Sequence, residues 1–80
     1  MDSMVYDTYE TSDIILAACL IVIGHNLFNI KRVNSTKGIF VFKSIPSEVI
    51  SEYDLGKMLV EPIVFNNAIK RLTTSVRRTV

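Results

Sequence analysis

The sequence predicts an α+β fold in a single small domain, and three observations lead to this class. The chain has 80 residues, too few to enclose two separate hydrophobic cores. Hydrophobic residues make up 49% of it, which is far from the composition of disordered chains. Two runs rich in β-branched and aromatic residues lie between helical patterns. The predicted order is a helix, a β-hairpin, a short helix and a C-terminal amphipathic helix (α-β-β-α-α).

The first predicted element is a helix that begins near Thr11 or Ser12. Either hydroxyl can accept hydrogen bonds from the unpaired amides of the first turn. The ten residues after Asp13 are all uncharged and apolar, so this helix must be covered on nearly all sides. Gly24 ends it, because glycine tolerates the left-handed conformation that follows many helices. The β-branched residues within 20–23 also suit a strand, but the flanking cap signals favour a helix.

A β-hairpin follows, with its strands at 27–33 and 39–43. The five residues between them are polar except for a final glycine, as in a turn. Phe40 and Phe42 share one face of the second strand, because side chains alternate along a strand. A two-stranded ribbon is marginal alone, so one face must pack on the helices, while the edges stay open to further strands.

Two helices complete the predicted fold. A short one is expected at about 46–55, with a proline in its first turn and Gly56 after its last. The chain then runs extended to Glu61, since the residue before a proline avoids helical angles. The following proline opens a helix at about 62–77, whose apolar residues fall in one sector and whose basic residues fall opposite.

The apolar positions of these elements define a predicted core. The apolar sector of the last helix should dock against the first helix and the hairpin. The expected core residues are Leu16, Leu20, Phe40, Phe42, Phe65, Ile69 and Leu72. The terminal segments 1–10 and 79–80 lie outside this core and are expected to be flexible.

Charged residues are segregated into blocks that the net charge of +1 conceals. Acids alone occupy 1–13 and dominate 44–61, whereas bases alone occupy 31–43 and 62–80. The chain is therefore bipolar along its length. The basic blocks supply the candidate residues for binding a partner or nucleic acid, which are Lys31, Arg32, Lys37, Lys43, Lys70, Arg71, Arg77 and Arg78.

The sequence contains no recognisable catalytic, cofactor or metal motif. Cys19 is the single cysteine, so it cannot form a disulfide within the chain and is expected to be a small buried hydrophobe. His25 is the single histidine, at a predicted helix end, with no nucleophile and orienting acid assignable around it. The glycines are isolated, which excludes a Walker loop or dinucleotide motif. We therefore expect a non-enzymatic protein without cofactor or metal.

The apolar run of the first helix is also too short for a membrane anchor. It has ten residues, whereas spanning a bilayer takes about 20, and an acidic stretch rather than a basic one precedes it. Together with the unpaired cysteine, this predicts a cytoplasmic protein with no membrane partner.

Short motifs along nearly the whole chain resemble those of an uncharacterised family of small domains, roughly eighty residues long, found in phage and bacterial genomes. The motifs include a Gly-His helix end, an aromatic hairpin, Tyr9-Glu10-Thr11-Ser12-Asp13, Leu59-Val60-Glu61-Pro62, Phe65 and Ile69-Lys70-Arg71-Leu72. The resemblance implies an origin in a phage or mobile element, a host-cell location and an α+β fold. It brings no known activity, cofactor or site residue to transfer.

Two classes of function remain open. In the first, the domain binds itself, most simply as a dimer, or binds a host or phage protein whose activity it modulates. The apolar first helix, small size, open hairpin edges and bipolar charge favour this class. In the second, the basic hairpin and basic last helix bind nucleic acid, with Tyr or Phe stacking on bases. The pI of about 7.9, below the value above 9 typical of DNA-binding domains, places the first class ahead.

Overall fold

A computed structural model describes residues 5–34 and 36–78 of the chain. It confirms the α+β class, both predicted helices after the hairpin, and the first helix. One strand that the sequence did not predict precedes them. The elements in chain order are β1 (Val5–Thr11), α1 (Ile14–Val22), β2 (Leu27–Arg32), β3 (Gly38–Pro46), α2 (Ser47–Asp54) and α3 (Pro62–Arg78).

The three strands form one antiparallel sheet in the order β1-β3-β2. β3 is the central strand, and its Phe42 lies opposite Tyr9 of β1 on one side and Leu27 of β2 on the other. The register of β2 shifts between Leu27 and Asn29, so β2 has one extra residue, Phe28, in a local bulge. The free edge expected on the β3 side of the hairpin is therefore occupied by β1.

β1 corrects the prediction that 1–10 is flexible. Val5–Thr11 pairs with β3 along its whole length, from Val5 opposite Pro46 to Thr11 opposite Phe40. This strand was not predicted because its residues are mostly polar and show no clear hydrophobic alternation. Such alternation is the main local signal for a strand. Residues 1–4 and 79–80 lie outside the described residues, and their flexibility stays a prediction.

The N-cap of α1 is Asp13, so the predicted cap at Thr11 or Ser12 is wrong. The Asp13 Oδ1 atom accepts hydrogen bonds from the backbone N–H groups of Ile15 at 2.9 Å and Leu16 at 3.2 Å. Thr11 instead accepts a bond from the Asp13 N–H at 3.0 Å. A carboxylate at this position satisfies two unpaired amides and also complements the positive end of the helix dipole.

α1 and α2 both end at the predicted glycines. Gly24 has φ 114° and Gly56 has φ 70°. At such positive φ values the backbone of any residue other than glycine is strained. The His25 N–H donates to the Leu20 carbonyl at 2.9 Å, and after α2 the Lys57 N–H makes the equivalent bond. Each helix end is thus closed by the six-to-one hydrogen bond of a Schellman motif.

One core lies between α1, α3 and one face of the sheet. Its buried residues are Leu16, Ala17, Ala18, Leu20, Phe40, Phe42, Ile45, Ala68, Leu72 and Val76. Five of the seven predicted core residues belong to it, while Phe65 and Ile69 are partly buried and pack against it. Ile45 joins the core because Ser44, with φ 60°, interrupts the alternation that would have placed Ile45 on the other face.

The first helix is largely covered within one chain. Residues 16–20 are all buried, and α3 is a main neighbour of α1. Large exposed apolar side chains remain near the two ends of this helix, at Ile15 and at the C-cap Ile23. If the domain self-associates, the apolar surface that it buries must therefore lie mainly outside α1.

Gly38 permits the close approach of α3 to the start of β3. A Cβ atom at this position would lie 3.0 Å from Cγ2 of Val76 and 3.2 Å from Cγ2 of Ile30. Both distances are shorter than ordinary van der Waals contact between carbon atoms. The φ of Gly38 is not in the left-handed region. Glycine is therefore needed at this position for close packing and not for an unusual backbone conformation.

Asp13 also connects the start of α1 to α2. Its Oδ2 atom accepts a hydrogen bond from the Tyr53 hydroxyl at 2.7 Å. Burial, followed by this bond and by the charge of Asp13, raises the pKa of Tyr53 from 10.0 to about 12. Because the folded pKa is the higher one, the stabilisation is fully present below pH 10 and is lost as the pH rises through about 12.

We predict that Phe42→Ala destabilises the domain by about 3 kcal/mol, through lost burial and the cavity left behind. Phe28→Ala is the matched control, because Phe28 is 60% exposed and its truncation should cost less than about 1 kcal/mol. Chemical denaturation followed by circular dichroism measures both changes. Equal losses for the two variants would show that the two faces of the sheet are assigned wrongly.

We also predict that Tyr53 ionises with a pKa of about 12. Ultraviolet absorbance of the phenolate, recorded while circular dichroism shows the domain folded, should contain a component with a pKa of about 12. Tyr53→Phe should remove that component. A titration of the parent protein that is complete by about pH 11 would contradict the Tyr53–Asp13 contact.

Candidate functional site

Lys31, one of the four predicted hairpin cations, forms an ion pair across the sheet. Its Nζ atom lies 2.8 Å from Oε2 of Glu10. In the register, Glu10 lies opposite Val41 and Lys31 lies opposite Ile39, so the two side chains meet from the strands on either side of β3. Both are about half exposed, so the pair contributes little to stability, but part of the charge of Lys31 is already balanced within the domain.

Two other hairpin cations also have contacts within the domain. The Nζ atom of Lys43 lies 3.9 Å from the centroid of the exposed Phe28 ring, a cation–π arrangement. The Nε–H of Arg32 donates to the Asn34 carbonyl at 3.1 Å. The hairpin cations are therefore dispersed over both sheet faces and the turn, and the structure does not gather them into one basic patch.

The α3 cations lie in two separate places. Lys70, Arg71 and Arg78 line one shallow depression on the exposed side of α3. Arg77 instead lines a groove of about 180 Å³ together with Lys37, beside the hairpin turn. Within 5–34 and 36–78, none of these cations has a carboxylate at ion-pair distance. In this groove, one hairpin cation, Lys37, and one α3 cation, Arg77, line the same concavity.

A larger cleft of about 580 Å³ lies between the C-terminal end of α1 and the middle of α3. We call it the α1–α3 cleft. Its apolar walls include Ile21, Leu27 and Leu72, and its polar lining includes His25 and Arg71. Gly24 also borders it and carries no side chain that would fill it. The Schellman motif fixes this wall, because the backbone of His25 is hydrogen-bonded to α1.

The α1–α3 cleft continues into the depression on α3. Arg71 and Ser75 line both concavities, and the depression adds Lys70, Thr74 and Arg78. The cleft therefore shares part of its lining with a depression that holds three cations of one helix. Three of the predicted site residues, Lys70, Arg71 and Arg78, thus lie in or beside the α1–α3 cleft.

A second exposed surface is apolar and lies at the other end of α3. Leu55 is 68% exposed, Leu59 90%, Ile63 69% and Val64 51%. We call these four residues the apolar segment. They occupy the link between α2 and α3 and the first turn of α3. These four exposed apolar side chains lie within ten residues of sequence, whereas the other large exposed apolar residues described, such as Ile15 and Phe28, are farther apart along the chain.

The start of α3 holds part of this segment in place. The Oε2 atom of Glu61 accepts a hydrogen bond from the Val64 N–H at 2.7 Å, so Glu61 satisfies an unpaired amide of the first turn. Asp54 and Glu61 give the segment acidic flanks. The result is an ordered apolar surface with anionic neighbours.

Side chains of the metal-binding types, and the single cysteine, can be located in the described part of the chain. No three His, Cys, Asp or Glu side chains lie close enough there to hold a metal ion. Cys19 is buried, and burial followed by the charge of Asp13 raises the pKa of its thiol, which makes it less reactive. Of the helices described, none is sufficiently long and apolar to cross a membrane.

Comparison with known proteins gives a family for the chain. Residues 6–77 match the model of DUF5659, a domain of unknown function. The chain belongs to this family. The expected membership of an uncharacterised family of small domains is thereby confirmed, and occurrence in phage and bacterial genomes stays a prediction. No curated protein and no solved structure matches the chain significantly.

Sequence reasoning missed two parts of the surface of this DUF5659 domain. His25 and Asn26 were interpreted only as a helix end, although they line the α1–α3 cleft; no local pattern reveals which helix face they meet. The apolar segment did leave a signal. Ile63 and Phe65 are two residues apart, about 200° around a helix, so Ile63 falls outside the predicted apolar sector of α3 and had to face away from the core.

Proposed function

We propose that this DUF5659 domain is a non-enzymatic protein-interaction module that self-associates through the apolar segment. The observation that carries the proposal is the exposure of Leu55, Leu59, Ile63 and Val64, each more than half exposed. Burying these side chains removes apolar surface from water, which is the main driving force of most protein association. The proposed self-association surface is therefore the apolar segment and not α1.

Charge complementarity favours a second copy of the chain as the occupant. Acidic residues dominate 44–61, next to the apolar segment, whereas the rest of α3 carries cations only. If two copies pack with α3 antiparallel and cross near Ile63, the basic part of each α3 runs along the acidic link of its partner. A two-fold dimer of this kind repeats each favourable contact twice.

Further aspects of this proposal rest on the family resemblance and the absence of a disulfide. They are an origin in a phage or mobile element, a cytoplasmic location in the host cell, and modulation of a host factor. A dimer would present two copies of any partner-binding surface to such a factor, which raises its apparent affinity.

We predict that the protein is a dimer at high micromolar concentration and that Leu59→Ser with Ile63→Ser abolishes the dimer. Size-exclusion chromatography with light scattering should give twice the chain mass of 9.0 kDa for the parent protein. The double variant should stay at 9.0 kDa and remain folded, because both side chains are largely exposed.

The matched control is Ile15→Ser with Val33→Ser, which removes two exposed apolar side chains outside the segment and should leave the dimer intact. A mass of 9.0 kDa for the parent protein at every concentration would refute self-association. The partner of the apolar segment would then be a different protein. A control variant that dissociates as fully as the segment variant would show that the apolar segment is not the interface.

Nucleic-acid binding is a second candidate function, and one observation favours it. Lys70, Arg71 and Arg78 line the same depression without a carboxylate partner among the described residues. Unpaired cations on one helix face suit the phosphates of a nucleic acid. The dispersed hairpin cations give this function less support than their number in the sequence implied.

We predict that Arg71→Glu with Arg78→Glu leaves the melting temperature nearly unchanged, since exposed charges contribute little to stability. The same variant should lose binding to nucleic acid at low salt, measured by a gel shift with heterogeneous DNA and RNA fragments. Parent affinity that does not fall as salt rises would contradict phosphate contacts, and so would unchanged binding by the folded variant.

A further inference from the structure

The α1–α3 cleft has the dimensions and lining of a site for a compact ligand. Its volume of about 580 Å³ falls within the range of roughly 300–1,000 Å³ typical of ligand pockets. Its lining combines apolar side chains, which supply contact area, with polar side chains, which supply orientation. His25 is the one aromatic ring among the residues that line it.

The position of Arg71 specifies the chemistry of that ligand. This side chain lines the cleft and also the basic depression beside it. A ligand that fills the cleft and extends past Arg71 must therefore join an apolar, preferably planar, group to a chain of anionic groups. Arginine suits the anionic part because its guanidinium can hold two oxygen atoms at once.

We infer that the α1–α3 cleft takes one unstacked base of a single-stranded nucleic acid, while Arg71 binds the phosphate next to that base. The base packs against the apolar walls and His25, and Asn26 offers hydrogen bonds to its edge. Lys70 and Arg78 receive the phosphates that follow. This inference rests on the second candidate function and adds the form of nucleic acid and the site of the base.

The shape of the site selects single strands over duplexes. A base inside a duplex is stacked and paired, so it cannot enter a cleft between two helices unless it is first extruded. Single strands present unstacked bases, which proteins commonly bind on ring systems beside a basic path for the backbone. The phosphates of a duplex would reach only the cations that line the shallow depression on α3.

Fluorescence anisotropy with a labelled oligothymidylate, and with the same strand in duplex with its complement, tests the inference at low salt. We expect the single strand to bind at least about tenfold more tightly than the duplex, since the duplex lacks the contacts of the cleft. His25→Ala with Asn26→Ala should weaken single-strand binding and leave duplex binding unchanged.

Arg71→Gln and Arg77→Gln form the matched pair of charge variants. Each removes one exposed cation from α3, but Arg77 lies at the separate groove beside Lys37. Arg71→Gln should weaken single-strand binding about tenfold, as expected for the loss of one charge-assisted phosphate contact. Arg77→Gln should change it by less than about twofold. Circular dichroism establishes that each variant is folded.

The outcomes separate this inference from the function on which it rests. Equal affinity for single strand and duplex would overturn the base site and leave nucleic-acid binding standing. Equal losses for Arg71→Gln and Arg77→Gln would also overturn it, because they indicate diffuse attraction to the helix. Failure to bind either form would overturn both the base site and the second candidate function.

Discussion

The position of β3 at the centre of the sheet is the constraint on which the rest of the domain depends. It pairs with β1 along one edge and β2 along the other, and its Phe40 and Phe42 form the sheet side of the core. A strand with two hydrogen-bonded neighbours and a buried face requires aromatic and β-branched residues, which this strand supplies. Glycine at its start admits α3, and the unusual backbone of Ser44 directs Ile45 inward.

The local parts of this fold could be read from the sequence, and the long-range part could not. Gly24, Gly56 and Pro62 mark helix boundaries through their own backbone preferences, which is why the predicted bounds of α2 and α3 agree closely with the structure. β1 has no comparable local signature. It becomes a strand because β3 offers a free edge some thirty residues later in the chain. Its conformation therefore depends on pairing with a distant strand and not on its own residues.

The same distinction governs the candidate site. The sequence identifies the eight candidate cations of the basic blocks, but their neighbours depend on strand register and on the rotation of α3. Register brings Lys31 to Glu10, and the rotation of α3 separates Arg77 from Arg71. Charge blocks in a sequence therefore overstate how much basic surface a small α+β domain presents. Concavity, which the sequence does not encode locally, decides which cations can act together.

The strand order also determines when this domain can fold during synthesis. β1 is made first among the described elements, yet its partner in the sheet ends at Pro46. The core still lacks Ala68, Leu72 and Val76 until α3 has been made. The nascent chain therefore carries the apolar residues of α1 without the cover of α3 until α3 has been made. Until α3 has been made, α1 lacks the helix that packs against it, so the C-terminal helix is the element that completes the core.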